Sequence, residues 1–404
     1  MSNSNGKKTM AVGESYSYPM NGGDGPYSYS RNSIYQREVV DASKSMITEA
    51  IFDNFDFENS PSNRLNTIRI ADLGCSVGPN TFMSVQNILQ AIDLKHKTIQ
   101  QNPTSPESQI HHPQAQAQAQ TLEFQVFFND LTANDFNTLF ITLPPSSPPY
   151  FVAGVPGSFH HRVFPEASLH VAYSSYALNW MSRVPEEVVE RDSPTWNKGR
   201  VHYTHNAKIF EAYSAQFKRD MEDFFRARAQ EVVEGGLLLL LLPGCQDGVL
   251  PCETSASLQH ELFGSCLMDM AKMGMISEEK VDSFNLHLYH TSPMEFRELI
   301  EANGYFHIEK MESFNPFPIL KELPNFHELA THFRAAIEGL ITEHFGSEIV
   351  EELFERYAEK IAQNTYVFDA QNTKEFMIFA CLKRKVGDEG NGDLHFNSKE
   401  NQNC

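Results

Sequence analysis

Short apolar stretches separated by amphipathic segments run along most of the chain and predict strands that alternate with helices. Residues 68–73 form a short apolar segment, residues 122–131 alternate apolar and polar side chains, and residues 237–242 are six leucines, typical of a strand buried on both faces. Strands are therefore predicted at residues 68–73, 122–131, 150–157, 170–173, 237–242 and 375–383. Such an alternation of strands with helices is typical of an open α/β sheet.

Helical periodicity is strongest in residues 206–234, where aromatic and aliphatic side chains recur every three or four residues. This stripe predicts a helix whose apolar face packs in the core; its members are Phe210, Tyr213, Phe217, Met221 and Phe224. Other helices are predicted at residues 33–55, from Asn80 onward, and at 133–143, 258–275, 293–303 and 325–364.

The predicted elements divide the chain into a core and a cap. Sheet segments fall before about residue 245 and after about residue 300, which predicts a core from residues 19–245 and 300–385. Residues 246–299, with parts of 300–364, predict a helical cap over the carboxyl ends of the strands. The polar ends, residues 1–18 and 386–404, are expected to be disordered.

Residues 95–121 are rich in Gln, His and Pro and predict a low-complexity insert. His111 and His112 lie in this insert and are a possible metal pair, although the composition favours disorder.

The first strand ends in Asp72 and runs into a glycine turn at Gly74 and Gly78, after which a helix begins near Asn80. A strand, a glycine turn and a helix N-terminus form the cofactor end of many α/β sheets. The spacing is not the dinucleotide pattern, and no P-loop lysine follows. The turn therefore favours a cofactor without a pyrophosphate, with S-adenosylmethionine as the candidate, although any strand-turn-helix unit also needs glycines.

Asp130 ends the second strand in the same way. An acid at this position is expected either to accept hydrogen bonds from ribose hydroxyls or to cap the helix that follows.

Three glycines beside Asn21 and Asp24 form a loop that carries Tyr27 and Tyr29 and leads to Gln36. The loop is either a lid that closes over a site or a surface loop that caps the next helix.

The composition disfavours a nucleic-acid-binding, membrane-spanning or secreted protein. The 404-residue chain has a formal net charge of −20, which disfavours nucleic acid as a partner. We find no apolar run long enough for a membrane span and no signal-peptide pattern, and the six cysteines have no C-x-x-C pairing. We therefore expect reduced thiols and a cytoplasmic location.

Six motifs carry a resemblance that extends from about Tyr18 to Lys385: MNGGDGPYSYSRNSIYQR, ADLGCSVGPNT, FFNDLTANDFN, GVPGSFHHRVFP, SSYALNWMSRVP and NKGRVHY. With them the chain resembles the plant SABATH methyltransferases, and among these the members that methylate loganic acid and related small acids. The resemblance implies a Rossmann-like, seven-stranded methyltransferase sheet with a helical cap, methyl transfer from S-adenosylmethionine to a small carboxylic acid, and a homodimer.

The resemblance also implies the residues of the site. The expected cofactor residues are Tyr29, Ser33, Asp72, Cys75, Asn80, Asp130, Leu131, Ser158, Phe159 and Ser175. Gln36 and Trp180 are expected to bind the acceptor carboxylate and to act in catalysis, and the acceptor is further expected to contact Tyr176, Asn179, His260, Tyr289, Phe333, Ala336 and Phe376. Some members carry a magnesium site, to which Asn197, Asp282, Phe284 and Asn285 correspond, although these four are equally ordinary loop residues.

Two positions depart from the family pattern. Asn179 stands where many carboxyl-methylating members have His or Met, and Asn21 stands where some salicylate-type members have Lys. Both departures bear on which acid is bound. Three rival functions are N-methylation of a xanthine-type ring, a catalytically silent binding protein with the same fold, and a nicotinamide dehydrogenase, which the missing dinucleotide glycines disfavour.

Overall fold

The computed structural model describes residues 18–57, 67–101, 122–315, 325–369 and 371–386. Seven strands form one sheet in the order β3-β2-β1-β4-β5-β7-β6. They are β1 (Thr67–Leu73), β2 (Glu123–Asp130), β3 (Phe151–Pro156), β4 (Leu169–Ser175), β5 (Val232–Cys245), β6 (Phe306–Phe314) and β7 (Glu375–Arg384). Strands β1 to β5 pair in parallel, whereas β7 is antiparallel to both β5 and β6. The predicted α/β class with a seven-stranded sheet is confirmed.

Ten α-helices accompany the sheet in the described part of the chain. They are α1 (Tyr29–Asn32), α2 (Ile34–Asn54), α3 (Pro79–Gln101), α4 (Phe136–Ile141), α5 (Ala207–Glu231), α6 (Ser255–Lys272), α7 (Glu278–Asp282), α8 (Pro293–Asn303), α9 (Phe326–Phe345) and α10 (Val350–Gln363). None of the described helices is long and apolar enough to cross a membrane.

The six-leucine strand separates two layers of core. Leu238, Leu240 and Leu242 pack on one face with the aromatic stripe of α5, while Leu237 and Leu239 pack on the other face with the apolar sides of α2 and α3. All six leucines are fully buried, which confirms a strand covered on both faces.

A third apolar cluster joins α6, α7, α9 and α10. This cluster is the interior of the helical cap, and the half-buried Trp180 and Phe333 pack against it. The strands β1, β2 and β4 are parallel and end at Leu73, Asp130 and Ser175, so their carboxyl ends lie at one edge of the sheet.

Three element predictions differ from the structure. Strand β6 was not predicted from the sequence. It is a largely exposed edge strand, and an irregularity between Ile308 and Lys310 breaks the alternation of apolar and polar residues. The predicted helix 325–364 is two helices, since α9 ends at Gly346, whose φ is +105°. Helix α3 continues to Gln101, so residues 95–101 of the predicted insert are helical. The rest of that insert with His111 and His112, and residues 1–17 and 387–404, lie outside the described residues.

Candidate active site

A cleft lies at the carboxyl ends of the parallel strands. Its walls come from five segments: residues 18–20 with Tyr29, the turn after β1, the turn after β2, residues 158–160, and residues 175–180 after β4. The lining residues are Tyr18, Pro19, Met20, Tyr29, Gly74, Ser76, Asp130, Leu131, Ser158, Phe159, His160, Ser175, Tyr176, Ala177 and Trp180. A pocket at this edge of the sheet is where open α/β folds bind their ligands.

The glycine turn after β1 is specified by backbone geometry. Gly74 has a φ of +81° and Gly78 a φ of +105°, conformations that side chains rarely adopt. A Cβ at Gly74 would collide with Ala177, and one at Gly78 would lie 2.7 Å from the Cα of Ser30. Both glycines are therefore required by conformation and by close approach of another segment.

The same turn is tied to the end of β2. The backbone N–H groups of Gly74 and Cys75 both donate to the backbone oxygen of Asn129, at 2.9 and 3.0 Å. The Asp130 carboxylate accepts from the backbone N–H groups of Ser76 and Leu131, each at 2.7 Å. Asp130 therefore organises the turn and still lines the cleft. The alternative role as a helix cap belongs instead to Asp135, whose carboxylate accepts from the N–H of Thr138 at the start of α4.

The buried Asp72 and the half-buried Asp130 both have elevated pKa values. Burial raises the pKa of Asp72 to about 7, although the hydrogen bond from the Thr81 hydroxyl partly lowers it. Burial raises the pKa of Asp130 to about 6, opposed by the two backbone N–H groups that it accepts. Near neutral pH both carboxyls can exchange protons, and a ligand that donates hydrogen bonds to them would favour the ionised forms.

Ser33 and Asn80 bring the start of α2 to the start of α3. The Asn80 amide donates to both the backbone oxygen and the hydroxyl of Ser33, each at 2.9 Å. Tyr29 lies one turn earlier, and burial, followed by the proximity of Tyr176 and Asp130, raises the pKa of its phenol. Of these three residues only Tyr29 lines the cleft; Ser33 and Asn80, like Asp72, are not among its lining residues.

Cys75 is buried and does not line the cleft. Burial raises the pKa of its thiol well above the usual value, so the group stays protonated. Leu131, Ser158, Phe159 and Ser175 all line the cleft, and their contact with a cofactor stays a prediction.

The predicted acceptor end of the site contains polar atoms that lack protein partners. The side-chain oxygens of Gln36 and Asn179 and the Nδ1 atom of His260 are buried without a hydrogen bond among the described residues. Since buried polar groups are almost always paired, these atoms are suited to contact a ligand. Tyr176, with a φ of +55°, turns the chain at the end of β4 so that Asn179 and Trp180 follow directly.

Of the predicted acceptor residues, only Tyr176 and Trp180 line the cleft; Gln36, Asn179 and the remaining ones lie outside its lining. The rings of His260 and Phe333 lie 5.6 Å apart, and Phe333 and Ala336 both pack against the apolar cluster of the cap. Phe376 is half-buried against the core on β7. Tyr289 is only 1% exposed, and its hydroxyl donates to Glu295, but its N–H donates to the backbone oxygen of Asn179 at 2.9 Å. Its influence on an acceptor would therefore pass through Asn179.

The four residues of the predicted magnesium site do come together, away from the cleft lining. The Asn197 amide donates to the side-chain oxygen of Asn285 at 2.6 Å, and the Asp282 carboxylate accepts from the N–H of Gly199 at 2.8 Å. Phe284 is buried and lies between Asp282 and Asn285 in sequence, and the side-chain oxygen of Asn197 is buried with no hydrogen-bond partner among the described residues. These oxygens fit the ligand preference of a divalent cation. Across the described residues, no three His, Cys, Asp or Glu side chains cluster as metal ligands.

A family model for S-adenosylmethionine-dependent carboxyl methyltransferases matches residues 15–385. The chain belongs to this family, the SABATH methyltransferases. The family uses S-adenosylmethionine, so the methyltransferase described here does as well. A crystallised relative, loganic acid methyltransferase with S-adenosylhomocysteine, superposes with a TM-score of 0.83 and 44% identity, covering 91% of this chain and 99% of that one.

Two relatives of known name show which members of the family this chain is similar to. Loganic acid O-methyltransferase of Catharanthus roseus is 45% identical over 372 residues, which are 91% of this methyltransferase and 94% of the relative. Paraxanthine methyltransferase 2 of Arabidopsis thaliana is 42% identical over 340 residues, 83% and 90% of the two chains. The family thus includes relatives named for a carboxylic acid and for a xanthine.

Several residues that line the cleft of this methyltransferase were not predicted from the sequence: residues 18–20, Ser76, His160 and Ala177. Residues 18–20 line the cleft just before the glycine loop. The family resemblance begins at about Tyr18, and this could have indicated that residues 18–20 contribute to the site. His160 also lines the cleft, and its position directly after Ser158 and Phe159 could have indicated it.

Proposed function

We propose that this enzyme methylates the carboxylate of a small plant acid, of the kind represented by loganic acid, to give a methyl ester. The observation that carries the proposal is the chemistry of the cleft: among the described residues that line it, none is Lys or Arg. A carboxylic acid, with a pKa around 4, is already ionised at neutral pH and needs no general base to act as a nucleophile. A lysine or arginine salt bridge would hold the acid but blunt its reactivity.

The proposed acceptor contacts are neutral donors. The amide of Gln36 and the indole N–H of Trp180 would orient one carboxylate oxygen without neutralising it. Nearby imidazoles are also uncharged at neutral pH, because burial lowers the pKa of His260 to about 3 and that of His287 to about 4. The acceptor therefore meets hydrogen-bonding groups rather than cations. The remaining proposed contacts are Tyr176, Asn179, His260, Phe333, Ala336 and Phe376, with Tyr289 acting through Asn179.

We further propose that the cofactor occupies the other half of the cleft, where Tyr29, Asp130, Leu131, Ser158, Phe159 and Ser175 line it. S-adenosylmethionine, when bound, supplies an electrophilic methyl group on its sulfonium. Asp72 and Asp130 would accept hydrogen bonds from its polar groups, since the buried Asp72 and the half-buried Asp130 are both acids at strand ends with raised pKa values. Tyr29, Ser33, Cys75, Asn80, Leu131, Ser158, Phe159 and Ser175 would shape and close this half. Exclusion of water by the segment at residues 18–29 would strengthen the electrostatic interactions inside.

Methyl transfer to a panel of acids tests the proposal. Purified enzyme is supplied with labelled S-adenosylmethionine and loganic, salicylic, benzoic, jasmonic, indole-acetic, gibberellic or farnesoic acid, with xanthosine as the control acceptor. The expected product is an ester whose label is released by mild alkali. An alkali-stable product formed only from xanthosine would overturn the proposal in favour of N-methylation, the rival that the paraxanthine relative supports.

Three further features belong to the proposal. A magnesium ion held by Asn197 and Asp282, with backbone oxygens of Phe284 and Asn285, would tie two loops of the enzyme together; the unpartnered Asn197 oxygen supports this. A homodimer is proposed from the family resemblance. A cytoplasmic location is supported by the five free cysteines of the described chain, typical of a reducing compartment.

A further inference from the structure

The strap, residues 18–33, crosses the cleft and is attached to the cap through α9. The backbone N–H of Asn21 donates to the backbone oxygen of Ala335 at 2.9 Å, and the Asn21 amide donates to Glu338 at 3.0 Å. At the other end of the strap, the Nδ1 atom of His332 lies 2.6 Å from the backbone oxygen of Asn32. One helix of the cap thus holds both ends of the strap.

The strap is also attached to the α/β core. The N–H of Gly23 donates to the carboxylate of Asp135 at 2.8 Å, and Ser30 packs directly against Gly78. Between these attachments, the N–H of Tyr29 donates to the backbone oxygen of Asn21 at 2.9 Å. The position of Tyr29 over the cleft therefore depends on how firmly Asn21 is held.

Arg334 of α9 is the residue on which the attachments to the cap converge. Its guanidinium carbon lies 3.5 Å from the centre of the Tyr27 ring, which is a close face-on cation–π contact. Its Nε atom donates to Glu338 at 2.7 Å, and its two Nη atoms donate to Glu351 of α10 at 2.9 and 2.7 Å. Glu338 is the same carboxylate that accepts from Asn21.

The guanidinium group is suited to this arrangement in a way that an ammonium group is not. Arg334 is only 5% exposed, so burial opposes its charge, but the hydrogen bonds from its nitrogens to Glu351 and Glu338 outweigh this and raise its pKa. The planar fork satisfies two carboxylates in its own plane and leaves one face free for the Tyr27 ring. Lysine has neither the fork nor the face.

We propose that Arg334 is a positioning residue that clasps the strap over the cleft, so that its contacts with Tyr27 and, through Glu338, with Asn21 set how fast the bound cofactor product leaves. The inference rests on the proposed function in one respect, the contact of Tyr29 with the cofactor. A contact made only in the closed state lowers the population of the open state, and a ligand that leaves only from the open state then dissociates more slowly.

The dissociation rate of S-adenosylhomocysteine from the full-length protein, measured by stopped flow, is the first test. Tyr27→Leu leaves every Arg334 ion pair in place and changes an exposed side chain, so folding is unaffected. We expect it to speed dissociation roughly threefold to tenfold. Arg334→Met should speed dissociation further. The fold-increase in dissociation rate of the double variant should be smaller than the product of the two single fold-increases, because the two residues form one contact. Arg356→Met is the matched control: it removes a surface Arg–Glu pair of the same cap, distant in the chain from the strap, and should leave the rate unchanged.

A second readout needs no ligand. Amide hydrogen exchange of residues 18–33 in the ligand-free protein should accelerate in Tyr27→Leu and Arg334→Met but not in Arg356→Met. Unchanged dissociation and exchange in Tyr27→Leu, with only a lower melting temperature in Arg334→Met, would overturn the clasp and leave Arg334 as a structural link between α9 and α10. Failure of the wild-type protein to bind S-adenosylhomocysteine at all would overturn the clasp together with the proposed cofactor contacts.

Discussion

The Nε2 atom of His160 lies 3.2 Å from the backbone oxygen of Trp180. A carbonyl oxygen can only accept, so Nε2 carries the proton and His160 is the donor. Burial lowers the pKa of His160, which keeps the ring neutral and leaves Nδ1 as a bare acceptor; that atom has no partner among the described residues. His160 directly follows Ser158 and Phe159, which are proposed to contact the cofactor. It therefore holds the backbone of Trp180, the residue proposed to orient the acceptor.

This contact predicts a graded effect of substitution at His160. His160→Phe removes the donor to Trp180 and should lower kcat about tenfold or more, because small displacements of an orienting group are costly in turnover. His160→Gln can supply an amide N–H at a similar reach and should recover part of the loss. Binding of S-adenosylhomocysteine, measured by calorimetry, should change less than kcat in both variants. Equal kcat in His160→Phe and the wild type would contradict a positioning role.

Gly78 should be intolerant of a side chain for two independent reasons. Gly78→Ala combines a φ of +105° with a collision against the backbone of Ser30 in the strap. We expect it to cost about 1–3 kcal/mol of unfolding free energy and to weaken cofactor binding, because the strap must move away. Gly248→Ala is the matched control, since Gly248 has a φ of +77° but a Cβ there would have no atom of the described residues within 4 Å. If both variants have the same melting temperature and cofactor affinity, close approach at Gly78 is not what requires glycine.

The pKa values of Asp72 and Asp130, raised by burial to about 7 and about 6, predict the pH dependence of cofactor binding. A raised folded-state pKa means that folding favours the protonated acid, so this contribution to stability is present at low pH and is lost as pH rises through 6 to 7. A ligand that donates hydrogen bonds to the carboxylates favours the ionised forms instead. Its binding should therefore release protons between about pH 5 and 7, and its affinity should fall as pH is lowered through that range.

Calorimetry of S-adenosylhomocysteine binding in buffers of different ionisation enthalpy measures this proton release. Thr81→Val removes the hydroxyl that lowers the pKa of Asp72 and should move the midpoint to higher pH. Asp130→Asn should reduce the number of protons released. Binding that is independent of pH between 5 and 8 would rule out both acids as ligand contacts.

The proposed magnesium site predicts a stability effect that can be measured without turnover. Addition of Mg²⁺ to metal-free protein should raise the melting temperature, since an ion that binds only the folded state stabilises it. Asp282→Asn keeps an oxygen for the Gly199 N–H but removes the charge, and should abolish the shift. A melting temperature that does not respond to Mg²⁺ in the wild-type protein would leave Asn197 and Asp282 as a purely structural link.

Much of the fold was predictable because its causes are local. The leucine run of β5, the helical stripe of α5 and the glycines at 74 and 78 each leave a signal in neighbouring residues, and the structure bears out all of them. Strand β6 left a weak signal because an exposed edge strand needs little apolar periodicity.

The contacts that shape the site were not predictable by such patterns. Asn80 with Ser33, His160 with Trp180 and Arg334 with Tyr27 join residues that are far apart in the chain. A single polar residue forms no periodic pattern in the sequence, so its contact partner cannot be predicted from periodicity. The motifs selected many residues of the cleft through resemblance, but whether a side chain such as Tyr289 faces a ligand or the core depends on packing that appears only in three dimensions.

The central claim is that the uncharged hydrogen-bond donors of Gln36 and Trp180 orient an ionised acid. Single-turnover methyl transfer in Gln36→Met and Trp180→Phe tests this claim most directly. Each variant removes a proposed donor while keeping much of the side-chain volume. We predict that each lowers the rate of ester formation from the preferred acid about 100-fold or more, while the affinity for S-adenosylhomocysteine stays within a few-fold of the wild type. Ester formation at the wild-type rate in both variants, or loss of cofactor binding together with activity, would contradict the account.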